Sequence, residues 1–482
     1  MYTSRTAGWR TLKTLAAIGF TVAFGGCATV GPSHAQPEPI APSVWQAPLP
    51  HGGQVAALDD WWSQFKDPVL TRLQRSAEAA SPTLAKAWAN IEKARATRVG
   101  AGASGLPTAN GQASVTRGTQ QTGDVATARS AGLDASWEID LFGKVRRSTE
   151  SAQALEQARE NDWHDARISL AAEVADTYVQ YRACGLLASA YEQELASMNQ
   201  TAKATEALVR AGLTATADGS LSRASVASTT SAALAQRAEC ELLVKSLVDL
   251  TGTDEVALRS QLAQAGPDVP QPAAIDVRGV PAQALRQRPD LASRERELAS
   301  ASAEIGVAQA DLYPSISLAG SIDVSVVGVA SALTSWSFGP TLSLPLFDGG
   351  RRRAAVDSAR AGYDAAYADW RQSVRTAVRE VEQSLVRLDS TARRMEQAER
   401  AAQEYRRYLV AAEAQWRAGS TSLIDLEDAR RQALSAQIEL IGLQRDRVTH
   451  WIALYKALGG DWQSGTPATP PEDIASKAKT SP

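Results

Sequence analysis

The chain contains few of the side chains that bind transition metals or carry out proton-transfer chemistry. Its 482 residues include only three cysteines, three methionines and four histidines. Because sulfur and imidazole groups are the usual soft ligands and bases, this scarcity argues against a metal cofactor and a histidine-based catalytic centre. The formal net charge of −3 also lacks the basic excess typical of nucleic-acid-binding proteins. The sequence therefore predicts neither an enzyme nor a nucleic-acid partner.

Long hydrophobic runs are also missing. After Gly26, no segment reaches the roughly 18 continuous apolar residues that a membrane-spanning helix requires. The sequence therefore predicts no transmembrane helix in the mature chain.

The N-terminus has the pattern of an export signal. Three basic residues, Arg5, Arg10 and Lys13, precede a short apolar segment that ends at Gly25-Gly26-Cys27. This pattern resembles a bacterial lipoprotein signal, which implies removal of residues 1–26 and a covalent lipid on Cys27. Ala28 stands where an Asp would retain a lipoprotein at the inner membrane, so the resemblance implies sorting to the outer membrane. An ordinary signal peptide with a coincidental cysteine is the alternative.

Four pairs of landmark residues recur at a constant interval. The members of each pair lie 207 positions apart: Pro107 and Pro314, Gly212 and Gly419, Asp218 and Asp425, and Gly252 and Gly459. A constant offset at four places indicates an internal duplication. We therefore predict a first repeat over 58–260 and a second over 282–462, joined by a proline-rich linker over 261–281.

The segments outside the repeats have the composition of connectors. Residues 27–57 are rich in proline, glycine, alanine and glutamine, which predicts an extended, lipid-anchored tether. Residues 463–482 are rich in proline, threonine, serine and lysine, which predicts a disordered tail.

Each repeat combines two alternating segments with two helical segments. Strands are predicted over 109–120, 126–141, 315–328 and 334–347, and helices over 144–211, 218–250, 350–417 and 423–458. The strands alternate with period two, as in Leu342, Leu344 and Leu346. The first helix of each repeat carries apolar residues in steps of four and three, the heptad pattern of helices that coil around neighbours. Such a helix over 144–211 would be about 100 Å long.

Four strands of bilayer length cannot form a closed wall by themselves. Unpaired strand edges are not tolerated in lipid, and even small membrane barrels need about eight strands. The predicted fold class is therefore mainly α with a small transmembrane β part. Three copies would combine into a 12-strand β-barrel on a 12-helix α-barrel tunnel.

Several motifs resemble those of the TolC-type outer-membrane efflux proteins, and within them the lipidated NodT-type components of RND efflux systems. The matching stretches are Trp61-Trp62 with Phe65 and Asp67-Pro68, Arg288-Pro289-Asp290, Ile305-Gly306 with Ala308, Leu312-Tyr313-Pro314-Ser315, Leu346-Phe347-Asp348-Gly349-Gly350, and Lys456-Ala457-Leu458-Gly459-Gly460. The resemblance implies a homotrimer with a β-barrel in outer-membrane lipid, a periplasmic helical tunnel and no catalysis. Its implied partners are a periplasmic membrane-fusion adaptor and an inner-membrane RND pump.

Two other functions remain open at this stage. The same fold could serve as the outer-membrane duct of a type I protein secretion system, although the NodT-like motifs favour the efflux of drugs or toxic metabolites. A lipid-anchored coiled-coil scaffold or envelope enzyme would belong to a different class. That interpretation leaves the four bilayer-length strands unexplained.

The turn after the second long helix carries the predicted gate. The segment from Arg417 to Ala429 resembles the family's periplasmic turn, where an apolar residue and an acid four positions later surround the closed pore. These map to Ile424 and Asp428, which share one helix face. Asp425 belongs to this gate or, as the alternative, Ser422 or Asp425 caps the helix, with Asp425 favoured as the cap.

The first repeat has a corresponding turn. Asp218 occupies the position equivalent to Asp425, but Gly219 departs from the pattern, which puts the role of this turn in closure in doubt. The family's tips contact the adaptor, so the resemblance implies adaptor contacts at Arg210, Gly212, Arg417 and Gly419.

Cys184 and Cys240 lie at equal distances from the predicted turn at Gly212. In an antiparallel helix pair they would therefore be adjacent, and the periplasm is oxidising, which favours a disulfide. Both also fall on apolar helix positions, so two buried free thiols are the alternative.

Overall fold

The computed structural model describes residues 29–38, 45–47, 54–55, 61–119, 123–272, 277–278, 285, 287–328 and 331–470. Cys27, the predicted signal over 1–26 and the end of the predicted tail lie outside the described residues. The predictions made for them stay predictions.

Helices make up most of the described chain. They are α1 (Pro68–Ala80), α2 (Pro82–Ala103), α3 (Lys144–Arg210), α4 (Thr216–Thr251), α5 (Glu255–Leu262), α6 (Pro289–Ala310), α7 (Arg351–Arg417) and α8 (Leu423–Ala457), with a 3-10 turn at Trp62–Phe65. Asp67 starts α1, because its carboxylate accepts the backbone N–H groups of Val69 and Leu70 at 2.8 and 3.1 Å. The duplicated, mainly helical fold class is confirmed.

The two longest helices, α3 and α7, each contain 67 residues. Heptad positions of α7 are buried against neighbouring elements, namely Val374, Val381, Leu385 and Leu388. Each such side chain contributes roughly 1.5–3 kcal/mol when it leaves water. Other positions of the same heptad series, Ala392, Glu399 and Tyr405, are exposed in a single chain. Among the described residues, no helix combines the length and apolarity needed to cross a membrane.

Four strands form one antiparallel sheet in the order β2-β3-β5-β6. They are β2 (Thr108–Thr119), β3 (Val125–Ile139), β5 (Ser315–Val327) and β6 (Leu333–Ser343); β1 (Gln54–Val55) and β4 (Val277–Arg278) pair with each other. The strand predicted over 334–347 is too long. β5 begins at Ser315, which pairs with Ser343, so the residues after Ser343 have no ladder partner, and Pro345 has no N–H to donate.

The predicted linker begins with regular structure. Helix α5 extends into the linker, and Asp254 caps it by accepting N–H groups from Val256 and Ala257. At the described start of the tail, His164 Nε2 lies 2.9 Å from the carbonyl oxygen of Thr466, while residues 463–467 are exposed. The disordered tail stays a prediction.

Part of the predicted tether is also fixed. Arg147 donates to the carbonyl oxygens of Val30 and Gly31 at 3.0 and 3.1 Å, and His34 Nε2 lies 2.6 Å from the Glu295 carboxylate. Further along, Glu382 accepts the N–H groups of residues 46 and 47, both at 2.8 Å. Residues 29–38 and 45–47 are therefore irregular chain in contact with the helices.

The described residues form two compact units. One contains residues up to 38, with 90–159 and 293–370, and includes the four-stranded sheet. The other contains 39–89, 160–292 and the chain from 371 onward, and includes both helical hairpin turns. Its core includes Trp61, which stacks on Trp451 with ring centroids 4.3 Å apart and also packs on Tyr455.

Candidate functional site

The first hairpin turn joins α3 to α4. Arg210 is the last residue of α3, and Gly212 has a φ of +73°, a left-handed conformation that favours glycine. The backbone then closes the helix end, because the N–H of Leu213 bonds the carbonyl of Leu208 at 2.9 Å. Asp218 lies in the first turn of α4, where its carboxylate accepts the Thr214 hydroxyl at 2.5 Å.

The second hairpin turn joins α7 to α8 and repeats this geometry. Gly419 has the same φ of +73°, and the Thr421 hydroxyl donates to Asp425 at 3.1 Å. The N-cap of α8 is Ser422 and not the favoured Asp425, which completes the capping box from the first turn. The Ser422 hydroxyl accepts the N–H of Asp425, while the Asp425 carboxylate accepts the N–H of Ser422, both at 3.2 Å. These bonds with Ser422 and Thr421 lower the pKa of the Asp425 carboxyl.

Ile424 and Asp428 lie on the exposed side of α8. Ile424 is 57% exposed, and the half-exposed Asp428 carboxylate pairs with the guanidinium of Arg431. In contrast, Leu423 and Leu426 are buried. The structure therefore separates Asp425, which is engaged in the cap, from Ile424 and Asp428, which point away from the protomer's own packing.

Arg430 forms a buried polar cluster behind this exposed face. Only 2% of Arg430 is exposed. Its guanidinium donates to Ser197 and Thr201 of α3 at 3.0 and 2.7 Å, and to Glu427 of α8 at 3.0 Å. It therefore links the second hairpin to the long helix of the first repeat.

Two further carboxylates surround the Arg430 guanidinium. Glu413 of α7 lies 3.5 Å away and Glu194 of α3 lies 3.9 Å away. Burial raises the pKa of the Glu194 carboxyl; Arg430 opposes this effect, and Glu427 and Glu413 add to it. One guanidinium thus stabilises three carboxylates that burial and mutual repulsion would otherwise disfavour.

The sequence analysis did not identify this cluster, although a signal was present. Leu423, Leu426 and Arg430 follow one another in steps of three and four, so the heptad phase places Arg430 inside.

Cys184 and Cys240 form a disulfide that joins α3 to α4, with their Cα atoms 5.6 Å apart. The amide of Gln236 donates to the Cys184 sulfur at 3.0 Å. Within the described part of the chain, no group of three or more histidine, cysteine, aspartate or glutamate side chains is placed to hold a metal ion.

The remaining predicted site residues lie at the two turns. Arg210 ends α3 at an exposed position, and Arg417 ends α7, where it lies 3.4 Å from the carboxylate of Glu413. Gly212 and Gly419 follow them as the left-handed residues that end each helix. All four residues lie at the ends of the hairpins, as the predicted contact with an adaptor requires. The adaptor contact itself stays a prediction.

A protein-family model described as outer membrane efflux protein matches the chain twice, over residues 73–253 and 280–460. Nodulation protein T of Rhizobium leguminosarum bv. viciae is 30% identical over 449 residues, covering 92% of each chain. The toluene efflux pump outer membrane protein TtgI of Pseudomonas putida is 32% identical over 464 residues, covering 91% of this chain and 96% of that protein.

Solved structures give the same result. The outer-membrane channel OprN is 31% identical, with a TM-score of 0.80 over 90% of this chain and 100% of that chain. The Campylobacter jejuni CmeC outer membrane channel has a TM-score of 0.83 at 22% identity, covering 94% of this chain and 98% of that chain, and supports the fold alone.

Proposed function

The chain belongs to the outer membrane efflux protein family, and from this membership we propose that it is the outer-membrane channel of a tripartite RND-type efflux system. It acts as a passive homotrimeric duct for small molecules such as drugs or toxic metabolites. Its pump and its adaptor supply the energy and the connection across the periplasm. TtgI is named as an efflux pump outer membrane protein and OprN as an outer-membrane channel, which supports transport without catalysis.

The observation that carries this proposal is the open sheet. β2 and β6 are its two edge strands, and one sheet face presents exposed apolar side chains such as Leu133, Trp336 and Phe338. Exposed edges and apolar faces suit a wall that lipid and neighbouring strands complete. Three copies supply twelve strands, and their α3, α4, α7 and α8 helices supply the tunnel.

Closure of the duct is assigned to the second hairpin turn. In a trimer, Ile424 would form an apolar ring and Asp428 a ring of three carboxylates, whose repulsion an adaptor or a cation relieves. Asp218 holds the first turn in shape through Thr214. Arg210, Gly212, Arg417 and Gly419 present the tips that the adaptor contacts.

A covalent lipid on Cys27 anchors the mature chain to the outer membrane. The contacts of residues 29–38 with Arg147 and Glu295 then hold the first residues after the anchor in place. Mass spectrometry of the N-terminal fragment should show a diacylglycerol-modified Cys27, and the Cys27→Ser variant should lack the added mass. An unmodified cysteine at the mature N-terminus would remove the anchor from the account.

Susceptibility of a deletion strain tests the proposed function. Loss of the gene should sensitise the cell to part of a panel of solvents and antibiotics, and the wild-type gene should restore resistance. A strain with unchanged susceptibility and a changed pattern of secreted proteins would instead favour type I secretion.

The purified protein tests the assembly. It should run on SDS gels as a trimer that dissociates to monomers on boiling, and it should permeabilise liposomes. A monomer that leaves liposomes intact would contradict the proposal.

A further inference from the structure

The proposed trimer pairs β6 of one chain with β2 of the next, and we infer the register of that pairing: it repeats the register of β3 on β5 within one chain. This inference rests on the proposed trimer. It names the surface of contact: β6 and β2 are the two edges of the sheet, and they are the repeat equivalents of β3 and β5. A duplicated chain that closes into a ring uses the same strand pairing within and between copies.

The register follows from the repeat offsets. Leu141-Phe142 recurs at Leu346-Phe347, 205 positions later, and Pro107 recurs at Pro314, 207 positions later. In the β3–β5 ladder, Trp137 faces Leu318. Moving 137 forward by 205 gives Leu342, and moving 318 back by 207 gives Gly111. Leu342 of one copy should therefore face Gly111 of the next.

The hydrogen-bonding pattern of the sheet agrees with this register. Gly328 donates to the carbonyl of Thr127 at 2.9 Å, directly after the ladder pair Ala128 and Val327. Bonded and non-bonded pairs alternate in antiparallel sheets, so odd-numbered residues of β3 bond to β5 and even-numbered ones to β2. By the same alternation, even-numbered residues of β2 bond to β3 and odd-numbered residues of β6 bond to β5. The N–H and C=O groups of odd residues in β2 and of even residues in β6 therefore face the open edges. Gly111 and Leu342 belong to these sets, so the register joins free groups to free groups.

The side-chain faces agree as well. The face that carries Gly111 and Leu342 also carries most of the large apolar side chains of the sheet: Val115, Leu133, Trp137, Ile322, Trp336 and Phe338. The other face carries polar residues such as Asn110, Gln112 and Thr341. A shift of one residue would place Leu342 beside Asn110 or Gln112 and bring apolar and polar faces together. Only even shifts keep the faces matched, and the repeat selects one of them.

A side-chain contact beyond the strands supports the choice. Phe142, after β3, stacks on Tyr313, before β5, with ring centroids 4.6 Å apart. The repeat equivalents of these residues are Phe347 and Leu106, which are 94% and 63% exposed in one chain. The register brings Phe347 of one copy to Leu106 of the next, so that each covers the other.

Proline supplies one further detail. Pro340 lies among the even residues of β6, faces the open edge and has no N–H, so the proposed ladder lacks one bond opposite Ala113. Proline is confined to edge strands for this reason. β6 is an edge strand within the chain, and its pairing with the next copy tolerates a single missing donor.

Engineered cysteines test the register. The matched pair is Gln112→Cys with Thr341→Cys, the repeat equivalent of Ser136 and Ala319, which face each other in β3–β5. This is a non-bonded pair, whose Cα atoms lie about 4.5 Å apart, within the range that a disulfide spans. The slipped controls are Asn110→Cys with Thr341→Cys and Ser114→Cys with Thr341→Cys, and the wild-type chain reports the background from native cysteines.

Outer membranes carrying each variant are oxidised and analysed on non-reducing gels after boiling. The matched pair should give covalent trimers in several-fold greater yield than either slipped pair. If the matched variant does not reach the membrane, Thr116→Cys with Ser337→Cys tests the same register. A greater yield of covalent trimer from a slipped pair overturns the register. The register is also overturned if the variants assemble as trimers but no cysteine pair crosslinks them. A wild-type chain that forms no trimer and gives the cell no drug resistance would instead overturn the proposed function.

Discussion

Arg430 and Thr201 are joined by a hydrogen bond of 2.7 Å between two buried side chains. The bond connects α8, which carries Ile424 and Asp428, to α3 of the first repeat. The hairpin assigned to closure is therefore held from behind by a charged group that water does not reach. Charge-assisted bonds in such surroundings are stronger than neutral ones, so this contact holds the first turns of α8 against α3.

Replacing Arg430 with Met should strongly destabilise the protein. The change leaves Glu194, Glu413 and Glu427 without their shared guanidinium, and breaking a buried ion pair from one side costs about 3–5 kcal/mol. The melting temperature of the detergent-solubilised protein, followed by circular dichroism at 222 nm, should fall clearly. Arg431→Met is the matched control, because Arg431 is exposed and pairs only with the half-exposed Asp428; it should change stability by less than about 1 kcal/mol. Equal melting temperatures for the two variants would contradict a structural role for the Arg430 cluster.

Asp425 and Asp428 should respond differently to alanine. Asp425→Ala removes the carboxylate that accepts the N–H of Ser422 and the hydroxyl of Thr421, and should lower the melting temperature. Asp428→Ala breaks only a surface pair, so stability should change little. Its loss from the proposed carboxylate ring should raise the single-channel conductance in planar bilayers.

Conductance and melting temperature together separate the two roles. Unchanged conductance in Asp428→Ala would remove this residue from the gate. An Asp425→Ala variant as stable as the wild type would show that the cap contributes nothing in the assembled protein.

Asp165 should make the stability depend on pH. Burial raises the pKa of its carboxyl to about 6; Asp290 adds to this rise, and Lys456 and Arg288 oppose it. Because the folded-state pKa exceeds the unfolded value of about 3.9, the folded protein binds the additional proton between these values. Its stability should therefore decrease as the pH rises from about 4 to about 6.

The Asp165→Asn variant should lose this dependence. At pH 7.5 it should be more stable than the wild type by up to roughly 3 kcal/mol, and at pH 4 the two should converge. Melting temperatures across this range measure the effect, with Glu239→Gln at an exposed site of α4 as the control. A constant difference at every pH would assign the change to packing rather than to titration.

The disulfide between Cys184 and Cys240 should stabilise the first helical hairpin. Replacing both residues with serine should cost about 2–4 kcal/mol, and a reducing agent should lower the melting temperature of the wild type but not of this variant. Non-reducing mass spectrometry should recover the two helices as one linked peptide. Recovery of separate peptides with free thiols would exclude the bond.

The second repeat has no such crosslink. The residues 207 positions after the two cysteines are Thr391 and Arg447, so only the first hairpin is covalently joined. Arg447 instead lies near the sulfur of Met395. The two otherwise equivalent hairpins therefore differ in how firmly their helices are held.

The long helices and the sheet were accessible from the sequence because both are periodic. Heptad spacing in α7 and period-two alternation in β6 are local properties, and each predicts which side chains are buried together. The 207-residue offset then transferred what was inferred for one repeat to the other. The error at the end of β6 has a different origin: Leu344 and Leu346 continue the alternation, but the partner strand begins at Ser315 and leaves them unpaired.

The sequence by itself determined the duplication, the four strands, the helical hairpins and the position of their turns, since these depend on neighbours close in the chain. Only the tertiary structure decided that Arg430 meets Ser197 and Thr201 of α3, and that residues 29–38 rest on Arg147 and Glu295. Those outcomes depend on which distant groups meet and on how far water is excluded from them. The spacing of residues encodes the first kind of information, and the packing of elements far apart in the chain creates the second.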